Sequence, residues 1–129
     1  MVYRPDKVIT GAILFIVANE NNERIGEVFL TCDYNKNRDW EIGYKFHYEY
    51  WGRGYASEAV TRLINYGFYE LNVRRISAYI NYENKRSVAL AKRVGMFQEG
   101  HLREVRWVNG EWNDEIIFSL LKKDFDTKV

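Results

Sequence analysis

The chain has 129 residues, a formal net charge of +1 at pH 7 and 47% hydrophobic residues. This length suits one domain with a single core, which we expect to cover residues 1–129. A net charge near zero argues against a dedicated nucleic-acid or membrane-surface binder. The longest apolar run, Ala12 to Ala18, is too short to span a bilayer. Cys32 is the only cysteine, which excludes an intrachain disulfide and favours a reduced, cytoplasmic setting.

Three strands and a helix are predicted in the first half of the chain. Ile13–Val17 is a compact apolar strand, and Ile25–Thr31 returns as its antiparallel partner. Strict alternation predicts a third strand with Trp40, Ile42, Tyr44 and Phe46 on one face and Glu41, Gly43, Lys45 and His47 on the other. Apolar residues at helical spacing from Val60 to Leu71 then predict an amphipathic helix.

The second half predicts a strand, a short helix and a hairpin. The strand runs from Val73 to Ile80, and the helix is capped by Asn84 and ends at Gly95. Asn109-Gly110 predicts a type I′ turn that places Trp107 opposite Trp112 and, continuing the ladder, Glu104 opposite Glu115. The order of elements indicates an α/β (α+β) fold, with helices packed on a mixed, mostly antiparallel sheet.

A glycine-rich segment, Trp51-Gly52-Arg53-Gly54-Tyr55-Ala56, connects the third strand to the first helix. Glycine allows positive φ and a close approach of the backbone to a ligand. Consecutive N–H groups at a helix N-terminus then make an anion site. Any tight strand-to-helix turn could use the same glycines, so the motif alone is a weak indication of phosphate binding.

Three motifs in order and at matching spacing carry a family resemblance. They are Trp40-Glu41-Ile42-Gly43-Tyr44, the segment from Tyr50 to Ala59, and Asn84-x-x-Ser87 through Gly95-x-Phe97-x-x-Gly100. Together they resemble the GNAT superfamily of N-acetyltransferases, and within it the Rim-type ribosomal-protein N-acetyltransferases. The resemblance runs from about Glu27 to Leu121, and the hairpin fits the same subgroup.

The resemblance implies acetyl-CoA as co-substrate and no metal. The residues that it assigns to cofactor binding are Phe46, His47, Gly52, Arg53, Gly54, Tyr55, Ala56, Asn84 and Arg86. Trp51 stands where the family usually has Gln or Arg, which we expect to matter little because backbone amides hold the phosphates. Plainer roles are open for three of these residues: a strand-end histidine for His47, a helix cap for Asn84 and a solvated side chain for Arg86.

The implied reaction is direct attack of a primary amine on acetyl-CoA, with a small amine or a protein N-terminus, such as that of a ribosomal protein, as acceptor. Glu41 resembles the strand glutamate that serves as base in histone-acetylating members, and shielding by the sheet would raise its pKa. A solvated glutamate and a hairpin base, Glu104, are the alternatives. The family's usual acid is a tyrosine where this chain has Ala91, so Ser87 is the candidate to hydrogen-bond the CoA sulfur. Arg106 stands where Rim-type enzymes tend to carry a catalytic glutamate.

The front of the chain departs from the family. Members normally begin with a strand and two helices that wall the acceptor site, whereas only Met1–Thr10 precede the first predicted strand here. The chain therefore resembles an N-terminally truncated member, with Ile13–Val17 as a bare edge through which a homodimer could form, unless Val2–Val8 adds a short strand. A catalytically idle acetyl-CoA-binding sensor or scaffold is the competing function.

Overall fold

The structure is a computed structural model that describes residues 2–9, 11–33 and 39–126. Its elements in chain order are β1 (Val2–Ile9), β2 (Ala12–Ala18), β3 (Arg24–Asp33), β4 (Asp39–Phe46), a 3-10 turn (Tyr48–Tyr50), α1 (Tyr55–Tyr69), β5 (Arg75–Asn81), α2 (Lys85–Arg93), β6 (Phe97–Val108), β7 (Glu111–Leu121) and α3 (Lys122–Asp126). None of the helices in these ranges is long and apolar enough to cross a membrane.

All seven strands form one sheet in the order β1-β2-β3-β4-β5-β7-β6. The strands β1 to β4 form an antiparallel meander, and β5, β7 and β6 form a second antiparallel unit. The two units meet where β5 runs parallel to β4. The expected mixed, mostly antiparallel sheet is therefore confirmed.

One hydrophobic core lies between the sheet and the helices. The apolar stripe of α1 is buried over β3, β4 and β5, so this helix packs on both units of the sheet. Leu90 and Ala91 of α2 join the same core, and Phe125 of α3 packs against Phe68 of α1. Even-numbered residues of β4 and β5, such as Ile42 and Ile76, belong to this core, and odd-numbered residues alternate to the opposite face.

The first strand corrects the expectation of a bare edge. β1 pairs with β2 from Val2 opposite Ala18 to Ile9 opposite Ala12, so Ile13–Val17 is covered and the sheet has one strand more than the six predicted. The register shifts just after Pro5, at an edge strand, where proline and irregular pairing are tolerated. A homodimer through an exposed Ile13–Val17 edge thereby loses its rationale.

The short-range signals of the second half are confirmed. Asn84 caps α2 by accepting a hydrogen bond from the Ser87 N–H (3.1 Å), and Gly95 follows the helix with φ of 94°. Asn109 and Gly110 both have positive φ, and Trp107 lies opposite Trp112 as the turn type requires.

The prediction that Glu104 faces Glu115 is wrong. The β6–β7 register shifts between Leu102 and Arg106, and Leu102 lies opposite Glu115. Glu104 sits inside this bulge with φ of 47°, and its N–H donates to the Asp114 carboxylate (2.8 Å). That hydrogen bond and the neighbouring His101 hold the pKa of Asp114 below its usual range. Sequence reasoning assumed an unbroken ladder, and the bulge redirects the side chains beyond it.

Gly26 offers a test of the β3–β4 packing. It is buried, and an added Cβ would lie 2.6 Å from the Phe46 ring and closer still to the backbone oxygen of Lys45. We expect Gly26→Ala to lower the free energy of unfolding by about 1–3 kcal/mol, because backbone atoms of a paired strand cannot move aside cheaply. Gly100→Ala is the matched control, since no atom lies within 4 Å of its added Cβ. Denaturant unfolding of both variants measures the difference, and equal stability would contradict this packing.

Candidate functional site

A cleft opens between the two units of the sheet, where β4 and β5 separate. These strands pair only at Trp40–Ile76 and Glu41–Ser77, although β4 continues to Phe46. At the closed end, the Ser77 hydroxyl donates to the Trp40 carbonyl oxygen (3.3 Å). We call the space beyond these pairs the β4–β5 cleft.

One edge of the cleft is the backbone of β4. The His47 N–H donates to the Ile25 carbonyl of β3 (3.0 Å). This hydrogen bond shows which residues at the β4 edge direct their backbone groups towards β3. In an antiparallel ladder the intervening residues turn their N–H and C=O groups the other way. Ile42, Tyr44 and Phe46 therefore direct backbone groups towards the β4–β5 cleft, whereas those of His47 face β3. Of the two strand residues expected at the cofactor, Phe46 has the suitable backbone orientation.

The glycine-rich loop lies at the open end of the cleft. Gly52 and Gly54 have φ of 79° and 80°, and a Cβ added to either would meet no atom within 4 Å. Gly54 is the N-cap of α1 and has no side chain to satisfy the amides of the first turn, which begins with Tyr55 and Ala56. The loop therefore presents unshielded N–H donors and the positive end of the α1 dipole to open space.

Trp51 joins the loop to both sides of the cleft. Its indole N–H donates to the Phe46 carbonyl oxygen (3.1 Å), and the Arg86 guanidinium carbon lies 4.4 Å from the centre of its ring. Arg53, in the loop itself, lies 5.6 Å from the centre of the Tyr50 ring. Two arginines from distant parts of the sequence thus lie around the loop. The sequence did not predict the contacts that Trp51 makes with Phe46 and Arg86.

The first turn of α2 forms the opposite wall. The Asn84 side chain caps this helix, and the Tyr44 hydroxyl of β4 donates to the Ser87 carbonyl oxygen (3.1 Å). Burial raises the pKa of the Tyr44 hydroxyl, so it remains a proton donor at neutral pH. Periodicity assigned Tyr44 to the core face alone, and no local signal indicated this contact between residues 43 positions apart. Ala91, one helical turn beyond Ser87, is 1% exposed.

Two carboxylates are associated with the cleft: Glu41 at the closed end, and Glu115, which lies opposite Asn81 at the C-terminal end of β5. Glu41 is exposed on the face of the sheet opposite the helices, so the described residues do not provide the shielding expected for it. The Arg106 Nε lies 2.9 Å from Oε2 of Glu115, and Glu115 is only 6% exposed. Glu115, through this hydrogen bond and its charge, raises the pKa of Arg106, and the charge of Glu41 adds to the effect. Arg106 thus lies within electrostatic reach of both carboxylates.

The described residues include no group of three or more His, Cys, Asp and Glu side chains that could hold a metal ion. The other predicted site residues fall in three places. Phe46, Arg53, Arg86 and the loop glycines surround the open end, with Asn84 and Ser87 on the adjoining helix turn. Glu41 stands at the closed end, and Glu104 lies in the β6 bulge.

The chain is similar in sequence to known proteins. The sequence profile of the acetyltransferase (GNAT) domain matches residues 4–97. An uncharacterised N-acetyltransferase of Bacillus licheniformis, p20, is 40% identical over a match that covers 85% of this chain and 62% of the relative. The Bacillus subtilis protein YdaF, whose name assigns it provisionally to the ribosomal N-acetyltransferases, is 37% identical over 70% of this chain and 49% of its own length.

A solved structure is similar over most of the fold. It is a spermidine N-acetyltransferase of Vibrio cholerae in complex with CoA and spermine, with a TM-score of 0.81 and 28% identity over 89% of this chain and 68% of that chain. The chain spans about three fifths of the length of p20 and about half the length of YdaF. Since the family profile covers most of the sequence and the fold agrees, the chain belongs to the GNAT acetyltransferase family.

Proposed function

We propose that this chain is an acyltransferase that moves the acetyl group of acetyl-CoA to a primary amine by direct attack. The observation that carries the proposal is the β4–β5 cleft, which runs from a closed end at Glu41–Ser77 to the open glycine loop at the N-terminus of α1. A phosphate tail fits the loop, and an extended arm fits the strand edge.

The cofactor half of the proposal assigns each part of acetyl-CoA to a feature of the cleft. The pyrophosphate would accept hydrogen bonds from the amides of Gly52–Ala56, where positive φ and open space allow close approach. The amides of the pantetheine arm would pair with the backbone of β4 at Ile42, Tyr44 and Phe46, as an added strand does. This direction carries the thioester towards the closed end of the cleft.

The chemistry then requires a protonated acceptor to lose two protons, one to Glu41 before attack and one from nitrogen as the amide forms, and the second of these balances the proton that sulfur gains. A protonated amine gives a proton to Glu41, directly or through water, and the free amine attacks the thioester carbonyl carbon. A β4 backbone N–H stabilises the oxyanion. The N–C bond forms, the C–S bond breaks, and the CoA thiolate takes a proton, for which the hydroxyls of Ser87 and Tyr44 are the donors on the α2 side.

The acceptor class follows from charge. Glu41 places a carboxylate at the closed end, where it attracts a cationic amine. A polyamine and a protein N-terminus share this ammonium chemistry, and relatives carry names for both. We propose a primary amine of either kind.

A CoA-release assay over spermidine, spermine, aminoglycosides and peptides with ribosomal-protein N-termini tests the proposed acceptor class, and release with none of them would contradict it.

A binding module without turnover is the second candidate. The observation that favours it is the Arg106 guanidinium, which stands 2.9 Å from Glu115 and near Glu41, where an ammonium acceptor would have to bind. Under this alternative, calorimetry detects acetyl-CoA binding while the acceptor panel releases no CoA.

Gly54→Val tests the cofactor site. A branched side chain is strained at φ of 80°, and it would fill the space in front of the α1 amides. We expect calorimetry to show no acetyl-CoA binding by this variant. Gly100→Val is the control, because it adds the same side chain to open space away from the loop. Wild-type affinity in Gly54→Val would overturn the assignment.

Glu41→Gln tests the base. The amide keeps the size of the side chain but cannot accept the proton, so kcat should fall by roughly 10²–10⁴-fold with little change in acetyl-CoA affinity. Glu104→Gln is the comparison, since Glu104 is the alternative base and lies in the bulge of β6. If that variant loses kcat and Glu41→Gln does not, the base belongs to the hairpin.

A further inference from the structure

Trp51 occupies a position from which it connects three parts of the cleft. It precedes Gly52 of the loop, its indole N–H is bonded to the Phe46 carbonyl (3.1 Å), and its ring lies against Arg86 of α2. The hydrogen bond fixes the ring plane relative to β4. The residue is nevertheless 47% exposed, so the core does not account for this arrangement.

The stacking determines where the charge of Arg86 is held. Its guanidinium carbon lies 4.4 Å from the ring centre, within the range of a favourable cation–π contact. A guanidinium that contacts a ring through its flat face keeps its in-plane N–H donors free to bind phosphate. The neighbouring Lys85 is directed elsewhere, with its ammonium 3.4 Å from the centre of the Tyr82 ring.

We infer that Trp51 is a positioning residue that holds the Arg86 guanidinium beside the glycine loop, where it binds a phosphate of CoA. The inference rests on the proposed function. Under this inference, α2 supplies the loop with a cation, Arg86. Trp51, which precedes Gly52, has no charge of its own and therefore contributes by holding that cation. Trp51 then acts through Arg86, and its contribution is confined to the phosphate end of the ligand.

Calorimetric titration of the 129-residue chain with CoA and with acetyl-pantetheine, which has no phosphate, tests the inference. The variants are Arg86→Gln, Trp51→Leu, Trp51→Phe and the double variant Trp51→Leu/Arg86→Gln. Lys85→Gln is the matched control, since it removes the same charge from the same helix turn but from the Tyr82 ring. All three positions, Trp51, Lys85 and Arg86, are exposed, so folding is not at stake.

We expect Arg86→Gln to weaken CoA binding roughly 10- to 100-fold, the range for a lost hydrogen bond to a charged group. Trp51→Leu should weaken it about 10-fold, and Trp51→Phe, which keeps a ring, by less. The double variant should bind no more weakly than Arg86→Gln, and acetyl-pantetheine binding should not change. Dephospho-CoA identifies the phosphate: a loss that persists with it indicates the pyrophosphate, and one that disappears indicates the 3′-phosphate.

Three results would overturn the inference while leaving the proposed function intact. They are unchanged CoA affinity in Arg86→Gln, an equal loss in Lys85→Gln, and additive losses from Trp51 and Arg86, which would mean that the two residues act independently. Failure of the wild-type chain to bind CoA at all would instead reject the proposed function, and this inference with it.

Discussion

The limited pairing of β4 with β5 is the constraint on which the site depends. β4 and β5 are neighbours in one sheet, yet their register contains two parallel pairs, Trp40–Ile76 and Glu41–Ser77. The two units stay together because α1 buries its apolar face over β3, β4 and β5 at once. Backbone groups of β4 that a continued ladder would have used are therefore directed into a cleft. A sheet normally pairs such groups, and an edge that remains available is suited to an extended ligand.

The charges around the cleft are separated along its length. Arg53 and Arg86 gather at the open end beside the uncapped amides of α1, and Glu41 lies at the closed end, within electrostatic reach of the Arg106 that pairs with Glu115. A ligand with phosphates at one end and a reacting group that meets a cationic amine at the other matches this polarity. Arg106 moderates the acidic end, since it pairs with Glu115 and lies near Glu41. The proposed direction of acetyl-CoA in the cleft thus has an electrostatic basis.

Sequence reasoning reached what depends on local chemistry and missed what depends on long-range contacts. The alternation of β4 and the Asn109-Gly110 turn were readable because period and turn geometry are local properties. β1 was only an open alternative over Val2–Val8, because Pro5 and its charged neighbours break the pattern, and only its place at the sheet edge makes proline acceptable there. The bulge at Glu104 is fixed by a hydrogen bond to Asp114 on the partner strand. The stacking of Trp51 on a residue 35 positions away has no local signal at all.

Amide hydrogen exchange with and without acetyl-CoA tests the central claim most directly, because it reports on the backbone groups that the cleft exposes. Binding in the β4–β5 cleft should slow exchange at Tyr44 and Phe46 and at the amides of Gly52–Ala56. Exchange at Lys45, whose position in the alternation faces β3, should change less. Protection confined to the loop, with Tyr44 and Phe46 unchanged under saturating acetyl-CoA, would contradict the account that the separated strand edge holds the cofactor.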